Sequence, residues 1–341
     1  MILYTRPTSV NCSHGRFLLT TEGGLVIGID AGGSHTRALV AGTDGQRVGA
    51  ASAAGANPVV HGWDQALTSV SGALRAALVG VDPNRVRLLV PAIAGIAAKD
   101  ASRLQADVRS LCHALGFACP VYPVSDLEAA FAGGTASTNG VVVLSGTGAV
   151  AGLIHDGRLV RQIDGYGWLV GDEGSGFWLG REAVRAALAA LDGRGSATGL
   201  VADVAEALDV TQTPDGLVTE VYQHQPIRLA ELAPIVTKAA AAGDAVAIDI
   251  IRCAADALLT AVSALHPPGR SRSPTRIVLA GGVLTGPGPV ADIVIERLRA
   301  QYDRAPVLGT DGAAGAAWIG LGRILQHRAP STHARLIQSA D

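Results

Sequence analysis

The chain reads Leu25-Val26-Ile27-Gly28-Ile29-Asp30-Ala31-Gly32-Gly33-Ser34 near its start, an apolar run that ends in glycines. An apolar run of this length predicts a buried strand, and the glycines predict a tight turn at its end. Glycine allows unusual backbone angles and lets another molecule approach the main chain closely. Successive backbone N–H groups in such a turn bind phosphate oxygens without needing a lysine.

Two further stretches repeat this arrangement of strand and glycine turn. Ser145-Gly146-Thr147-Gly148 follows the apolar residues 141–144, and Ala280-Gly281-Gly282-Val283 follows residues 277–279. One such turn alone would indicate little. Three of them, from Gly32 to Gly282, indicate two lobes that hold one nucleotide between them.

The composition narrows the class of protein. A length of 341 residues predicts two domains, and 48% hydrophobic with 16% charged residues is typical of an α/β protein. The net charge of −2 provides no basic field, and every apolar stretch is too short to span a bilayer, so we expect neither nucleic acid nor membrane as a partner. Cys12, Cys112, Cys119 and Cys253 form no CxxC pair, so we expect reduced thiols in a cytoplasmic protein.

Asp30 lies at the end of the first predicted strand, two residues before the glycine pair. A carboxylate there could hold Mg²⁺ through water, while Ser34, Thr36 and the turn N–H groups face phosphates. The alternative is that Asp30 and the glycines form an ordinary turn that binds neither metal nor phosphate. The chain has no GxxxxGK[ST] motif and no GxGxxG after the strand, which excludes a P-loop enzyme and a dinucleotide fold of the usual type.

Asp126 is the residue that we expect to carry the chemistry. It follows the predicted strand 121–124, and ligands of α/β sheets bind at the carboxyl ends of strands. A fixed carboxylate there could accept the proton of a sugar hydroxyl during phosphoryl transfer. The alternative is a helix N-cap, a role compatible with the first. Glu128 is a weaker candidate, expected to be solvated or a hydrogen-bond partner.

Residues 164–176 read Asp-Gly-Tyr-Gly-Trp-Leu-Val-Gly-Asp-Glu-Gly-Ser-Gly, which fits neither a regular strand nor a helix. An ordered loop of this length is more often functional than structural. Asp172 could accept hydrogen bonds from vicinal sugar hydroxyls. The alternative for Asp172-Glu173 is to cap the helix that begins near Gly176. Asn57 lies in the sequence Gly-Ala-Asn-Pro, and from this local sequence alone we would predict only a turn residue.

Together these stretches resemble the N-acetylglucosamine kinase family, in the BadF/BadG/BcrA/BcrD group of actin-like ATPases. The resemblance spans residues 25–325. The glycine turns are shared by actin, sugar kinases and Hsp70 and indicate only the fold. Asn57-Pro58, Ser125-Asp126 and residues 171–176, in this order, are more specific. Two positions depart from the family pattern: His35 stands where Lys or Arg is common, and Ala149 stands where Ser is common.

The resemblance implies an α/β, two-lobed actin-like ATPase (ribonuclease H-like) fold with a nucleotide cleft between the lobes. We expect a loose extension over residues 1–24, an N-terminal lobe of residues 25–136 plus 311–327, and a C-terminal lobe of residues 137–310. The helix over residues 311–325 should therefore return to the N-terminal lobe. The tail beyond Arg328 is polar and should be frayed.

The resemblance also implies a role for each candidate residue. Asp126 corresponds to the catalytic base, and Asp30, with Gly32, Gly33 and Ser34, to the first phosphate motif. The implied sugar contacts are Asn57, Asp126, Gly165 and Asp172. The implied nucleotide contacts are Gly32, Gly33, Ser34, Gly146, Thr147, Gly148, Gly281 and Gly282, to which the residue pattern itself adds Thr36.

The activity implied is ATP-dependent phosphorylation of the 6-hydroxyl of N-acetylglucosamine, with ATP and Mg²⁺ as cofactors, in a homodimer. A kinase for glucosamine or N-acetylmuramic acid stays open as an alternative. An ATPase activator of a radical dehydratase would need paired cysteines for an iron–sulfur cluster, and the predicted helices and strands hold these cysteines apart. A non-catalytic sugar sensor is a further alternative. A repressor of the ROK type would need an N-terminal helix-turn-helix that residues 1–24 do not encode.

Overall fold

A computed structural model describes residues 23–96, 98–266, 276–325 and 329–338. Most of the expected N-terminal extension, and Cys12 with it, lies outside the described residues. The chain divides into two compact units. The first unit comprises Met1–Thr138, Ile154–Arg161 and Asp311–Asp341, and the second comprises Asn139–Leu153 and Gln162–Thr310.

The strands of the described residues are β1 (Leu25–Ala31), β2 (His35–Gly42), β3 (Arg47–Ala54), β4 (Val86–Ile93), β5 (Gly140–Ser145), β6 (Ala149–His155), β7 (Arg158–Asp164), β8 (Arg276–Ala280) and β9 (Val307–Gly309). The α-helices are α1 (Pro58–His61), α2 (Trp63–Ala77), α3 (Ala101–Ala114), α4 (Asp126–Gly134), α5 (Gly176–Leu191), α6 (Leu200–Leu208), α7 (Pro214–Gln223), α8 (Ala233–Ala241), α9 (Ala245–Leu265), α10 (Gly282–Thr285), α11 (Pro289–Tyr302), α12 (Gly312–Ile324) and α13 (Pro330–Ile337). Short 3₁₀ turns cover Pro83–Arg85, Ala98–Asp100 and Pro226–Leu232.

The first unit is built on a four-stranded sheet in the order β3-β2-β1-β4, with β1 antiparallel to β2 and parallel to β4. Strand β1 is buried on both faces. Ile27 and Ile29 pack in one core with residues of α2 and α3, whereas Val26 packs on the opposite face with residues of α12. Burial on both faces explains why residues 25–29 of β1 carry no polar side chain rather than alternating apolar and polar ones.

Helix α12 packs directly on β1 because glycines remove the side chains between them. A methyl group at Gly28 would collide with the carbonyl oxygen of Ala313, and one at Gly315 would collide with the carbonyl oxygen of Ala129 in α4. We expected the helix of residues 311–325 to return to the first lobe. It packs against β1, β4 and α4, which are all elements of the first unit.

The second unit contains a five-stranded sheet in the order β7-β6-β5-β8-β9, with β8 parallel to both β5 and β9. Its core includes Val141 and Val143 of β5, Leu279 of β8 and apolar residues of α5, α6, α8 and α9. The tip of the β6–β7 hairpin, Ile154–Arg161, belongs to the first unit. Asp156 and Gly157 both have positive φ at this tip, which is the backbone that a two-residue hairpin turn needs.

Two expectations about secondary structure are wrong. Residues 121–124 form two isolated parallel bridges, Val121 to Leu89 and Val124 to Ala92, rather than a continuous strand. The tail contains helix α13, with Leu336 fully buried and the His333 ring nitrogen Nε2 2.8 Å from the Ala132 carbonyl oxygen. Within the described ranges, no helix has the length and apolar character needed to cross a membrane.

Candidate active site

The first glycine turn connects β1 to β2 and is held by the segment Gly55–His61. Gly32 donates its N–H to the His35 carbonyl at 2.9 Å, which closes the turn. Its own carbonyl accepts the N–H groups of Ala56, at 3.0 Å, and Asn57, at 3.1 Å. The carbonyl oxygen of Gly33 lies 2.6 Å from Nε2 of His61. The carbonyls of both glycines are therefore engaged by this segment.

Asp30 occupies the end of β1, opposite Ala92 of β4 and against the start of α12. A methyl group at Gly312 would collide with its carboxylate, so the helix reaches this side chain only because residue 312 is glycine. The pKa of Asp30 is raised to about 6, mainly by burial and secondly by the negative charge of Asp126. The positive charge of Arg37 opposes this rise by a smaller amount. The carboxylate is therefore partly buried and lies near a second carboxylate without a fully compensating cation.

Asp126 is the first residue of α4 and lies two residues beyond the bridge between Val124 and Ala92. The helix N-cap is Ser125, not Asp126. Oδ1 of Asp126 accepts the Leu127 N–H at 2.9 Å and the Ser125 hydroxyl at 3.2 Å. Burial raises the pKa of Asp126, and these hydrogen bonds counteract part of the rise. The side chain is thus held in one orientation in a poorly solvated place.

Glu128 is buried, with 8% of its surface exposed, so of the two expected roles the solvated residue is wrong and the hydrogen-bond partner is the one observed. One carboxylate oxygen accepts the Ser125 N–H at 3.2 Å, which completes a capping box at the start of α4. The other oxygen accepts the Leu159 N–H at 3.0 Å, and Arg158 forms an ion pair with the carboxylate at 3.7 Å. Glu128 therefore ties the helix that carries Asp126 to the tip of the β6–β7 hairpin.

Two other predicted residues of the first unit differ in their surroundings. Asn57 is the N-cap of α1, with Oδ1 accepting the Val59 N–H at 2.9 Å, and its amide contacts Gly95 at the end of β4. Asn57 therefore lies beside the first glycine turn. Thr36, in contrast, is fully buried, and its hydroxyl donates to the Ala54 carbonyl at 2.7 Å. We accordingly remove Thr36 from the candidate phosphate contacts.

The second and third glycine turns meet within the second unit. Gly281 packs on the Ser145 carbonyl and the Gly146 nitrogen so closely that any side chain would collide, and its φ of +83° also favours glycine. The Gly146 N–H donates to the Gly148 carbonyl at 2.9 Å, and the Gly146 carbonyl accepts the Gly176 N–H at 2.7 Å. Gly146, Thr147, Gly148, Gly281 and Gly282 therefore form one glycine-rich surface at the start of α5 and α10.

Asp172 lies against this surface, because a methyl group at Gly148 would lie 2.7 Å from its Oδ2. Its φ of +59° is one that asparagine and aspartate tolerate better than other residues with side chains. The pKa of Asp172 is raised to about 6, mainly by burial and secondly by the negative charge of Asp164. Hydrogen bonds from the N–H groups of Gly167 and Ala149 oppose this rise. The N-cap of α5 is Ser175, whose hydroxyl accepts the Trp178 N–H at 3.1 Å, so Asp172 does not cap that helix.

Asp164 is a residue of this loop that the sequence did not single out. Its carboxylate accepts the N–H groups of Asp172, at 2.9 Å, and Glu173, at 3.0 Å. Gly165 follows it with a φ of +74° and packs on Val150 and Gln162. Asp164 and Gly165 thus fix the backbone from which Asp172 projects. The signal that could have indicated Asp164 is its place at the end of a strand, immediately before glycine.

Among the described residues, no group of three or more His, Cys, Asp or Glu side chains has an arrangement that could hold a metal ion by itself. The charge of Asp126 raises the pKa of Asp30, so these two carboxylates of the first unit lie close enough to interact. A pair of this kind matches what Mg²⁺ takes from a protein when phosphates and water supply its other ligands.

Comparison with known proteins gives a consistent set of relatives. The model of the BadF/BadG/BcrA/BcrD ATPase family matches residues 27–320. The chain is 32% identical over 232 residues to the N-acetylmuramic acid/N-acetylglucosamine kinase of Clostridium acetobutylicum, covering 66% of this chain and 75% of that protein. It is 27% identical over 313 residues to the N-acetyl-D-glucosamine kinase of Dictyostelium discoideum, covering 87% and 98% of the two chains. Among solved structures, a Chromobacterium violaceum protein classed as an N-acetylglucosamine kinase superposes with a TM-score of 0.72, at 25% identity, covering 86% of this chain and 98% of that one.

Proposed function

Because the chain belongs to the BadF/BadG/BcrA/BcrD ATPase family, we propose that it is a sugar kinase that transfers the γ-phosphoryl group of ATP to the 6-hydroxyl of N-acetylglucosamine. The kinases of C. acetobutylicum and D. discoideum support this substrate class. The observation that carries the proposal is the partly buried Asp126 carboxylate, fixed at the first turn of α4 and close enough to Asp30 to raise its pKa.

Asp126 acts as the general base in this proposal. As the bond from O6 of the sugar to the γ-phosphorus forms, the bond from that phosphorus to the β–γ bridging oxygen breaks. The O6 proton passes to the Asp126 carboxylate, and the products are the sugar 6-phosphate and ADP. Ser125 and Leu127 already hold Oδ1, so we assign the proton to Oδ2. A base positioned in this way contributes roughly 10²–10⁴-fold to the rate.

Asp30 holds the magnesium ion of MgATP, through water, in this proposal. When bound, Mg²⁺ neutralises charge on the β- and γ-phosphates. The raised pKa of Asp30 supports the assignment, since the carboxylate lacks a fully compensating cation within the protein itself. Asp30 also lies at the carboxyl end of a strand, which is where α/β sheets bind their ligands.

The glycine turns bind the nucleotide phosphates through backbone N–H groups. Gly32, Gly33 and Ser34 supply them in the first unit, and Gly146, Thr147 and Gly148 supply them in the second. We assign the adenosine to Gly281 and Gly282 and the pocket beyond α10, which has a volume of about 550 Å³. Ala240, Ile248, Ile251, Gly288 and Ile293 are among the residues that line this pocket, and such apolar walls suit a purine ring.

Asn57, Gly165 and Asp172 contact the sugar hydroxyls in the proposal. The mainly buried Asp172 carboxylate is acceptor-only when ionised, which suits two neighbouring hydroxyl donors. N-Acetylmuramic acid is a second candidate substrate, because the name of the C. acetobutylicum relative includes both sugars.

ATP is supplied inside the cell, so we place the reaction in the cytoplasm. We also propose a homodimer, to be tested by sedimentation velocity.

A substrate panel tests the proposal. ADP release is measured with MgATP and each of N-acetylglucosamine, N-acetylmuramic acid, glucosamine, N-acetylmannosamine and glucose, and ³¹P NMR identifies the product. We expect N-acetylglucosamine to raise ADP release at least about tenfold, because the acceptor completes the reactive geometry. ATP turnover independent of sugar, in protein that carries iron after anaerobic purification, would instead support an activator ATPase. Among the described residues Cys112 and Cys119 are buried and Cys253 is exposed, and this argues against that outcome because a cluster shared between subunits needs paired surface cysteines.

A further inference from the structure

The first glycine turn is oriented by hydrogen bonds to its carbonyl groups. Two backbone N–H groups, from Ala56 and Asn57, hold the Gly32 carbonyl, and the His61 side chain holds the Gly33 carbonyl. The segment can approach this closely because residue 55 is glycine. A methyl group there would collide with the Gly33 carbonyl and would lie 2.8 Å from Nε2 of His61.

The direction of these carbonyls decides the direction of the next N–H groups. In a trans peptide, the carbonyl and the following N–H point to opposite sides of the chain. Donors that hold the carbonyls of Gly32 and Gly33 on the side of segment 55–61 therefore direct the N–H groups of Gly33 and Ser34 to the other side. Consecutive N–H groups that face one way make a concavity that binds anions.

The contact also fixes the protonation of the imidazole. A carbonyl oxygen can only accept, so Nε2 of His61, 2.6 Å from the Gly33 oxygen, must carry a hydrogen. His61 is exposed on α1, and Asn57, a proposed sugar contact, begins the same helix. Loss of the imidazole would leave the Gly33–Ser34 peptide without the side chain that holds its carbonyl.

We propose that His61 is a positioning residue for ATP: its Nε2–H holds the Gly33 carbonyl and so aims the Gly33 and Ser34 N–H groups at the nucleotide phosphates. The proposal rests on the kinase function above, because that function assigns phosphate to this turn. His61 touches neither phosphate nor sugar in this role. It acts only through the orientation of the turn.

The test compares His61→Leu, which removes the donor, with His61→Gln, whose side-chain amide can place an N–H near the Nε2 position. His113→Leu, a change of an exposed histidine on α3, is the matched control. We expect His61→Leu to raise the KM for ATP and the Kd of a non-hydrolysable ATP analogue about fivefold to tenfold, with the KM for sugar within about twofold of wild type. In His61→Gln and in the control, the KM for ATP, the Kd of the analogue and the KM for sugar should all stay within about twofold of wild type.

Two results would overturn the inference: equal analogue affinity in His61→Leu and wild type, or equal weakening in His61→Leu and His61→Gln. A ¹⁵N–¹H correlation spectrum of the wild-type histidines adds an independent readout, since Nε2 of His61 must be the protonated nitrogen. A spectrum with only Nδ1 protonated contradicts the contact. Failure of the kinase proposal is distinguishable, because wild-type protein would then bind no ATP analogue or phosphorylate no sugar.

Discussion

Asp126 raises the pKa of Asp30, adding to the larger effect of burial, so that Asp30 titrates at about 6. The two carboxylates belong to different elements, the end of β1 and the start of α4, and the parallel bridges along β4 bring those elements together. Their proximity is costly to the folded protein, because a buried carboxylate near another negative charge is disfavoured. A metal ion with phosphates would relieve this repulsion.

Asp126→Asn should separate catalysis from binding. The amide keeps the shape of the side chain and an oxygen for the Leu127 N–H, but it cannot accept the substrate proton. We expect kcat to fall roughly 10²-fold or more, with little change in the KM for sugar. Steady-state kinetics measure both constants, and near wild-type turnover would show that Asp126 is not the base.

Asp172→Asn should raise the KM for sugar strongly, by roughly tenfold or more. Asparagine tolerates the positive φ at this position, so the change tests the carboxylate rather than the backbone. Because burial and Asp164 raise the pKa of Asp172 to about 6, the wild-type KM should also rise as the pH falls through 6. The variant should lack this dependence. A KM profile that is the same in both proteins would contradict the assignment.

Asp30→Asn should stabilise the protein without ligand at neutral pH. The folded pKa of about 6 exceeds the ordinary value of 3.8, so protonation favours the folded state. The wild-type protein has this stabilisation in full below pH 3.8 and loses it as the pH rises through 6. At pH 7.5 we expect the variant to have a free energy of unfolding higher by on the order of 1 kcal/mol. Urea unfolding at pH 7.5 and pH 4 measures the difference, which should be much smaller at the lower pH.

Glu128→Gln should lower kcat by roughly tenfold and reduce the Tm by several degrees. The carboxylate accepts the N–H groups of Ser125 and Leu159, and an amide has only one oxygen to offer them. One N–H would then face the amide NH₂, which shifts the turn that carries Asp126. Glu231→Gln, which alters an exposed ion pair with Arg228, is the control and should change neither quantity. Equal behaviour of the two variants would remove Glu128 from the positioning of the base.

Gly315→Ala should destabilise the first unit by about 1–3 kcal/mol, because the added methyl group meets the Ala129 carbonyl in α4. Gly72→Ala in α2 is the matched control, since apart from its chain neighbours and the backbone of its own helix no atom lies within 4 Å of the added group. That change should be neutral or should stabilise by up to about 1 kcal/mol through helix propensity. Denaturant unfolding of both variants compares the signs, and an unchanged stability of Gly315→Ala would contradict the close packing of α12 on α4.

The sequence predicted those parts of the fold that local patterns decide. The glycine turns after β1, β5 and β8 follow from the backbone freedom of glycine, and the helix that begins at Gly176 follows the loop that the sequence marks. The α/β fold with two sheets also agrees with the solved structure from C. violaceum. Helix α13 was not predicted, because its burial depends on Ala132, which lies 201 residues from His333 in the chain.

The candidate site shows the same division. Asp30, Asp126 and Asp172 could be singled out because each lies beside a glycine turn or at the end of a strand. Glu128 could be named only as a weaker candidate, and His61 could not be singled out at all. Their decisive partners, Leu159 and Gly33, are 31 and 28 residues away, and sequence spacing alone does not show that they meet. The prediction that Thr36 contacts phosphate is wrong, because its hydroxyl donates to the Ala54 carbonyl of the neighbouring strand β3. Sequence alone does not show in which direction a hydroxyl near a glycine turn points.

Helix α12 completes the core around β1, although it lies near the other end of the chain. During synthesis, β1 therefore leaves the ribosome long before the helix that covers it. At 5–20 residues per second, the intervening segment takes on the order of 15–60 s to make. In that interval Val26 and Leu39 lack their partners Ala317 and Leu321. We therefore expect nascent or truncated chains that end before Gly312 to bind chaperones and to be degraded, a burden that circular permutation joining α12 directly to β1 would remove.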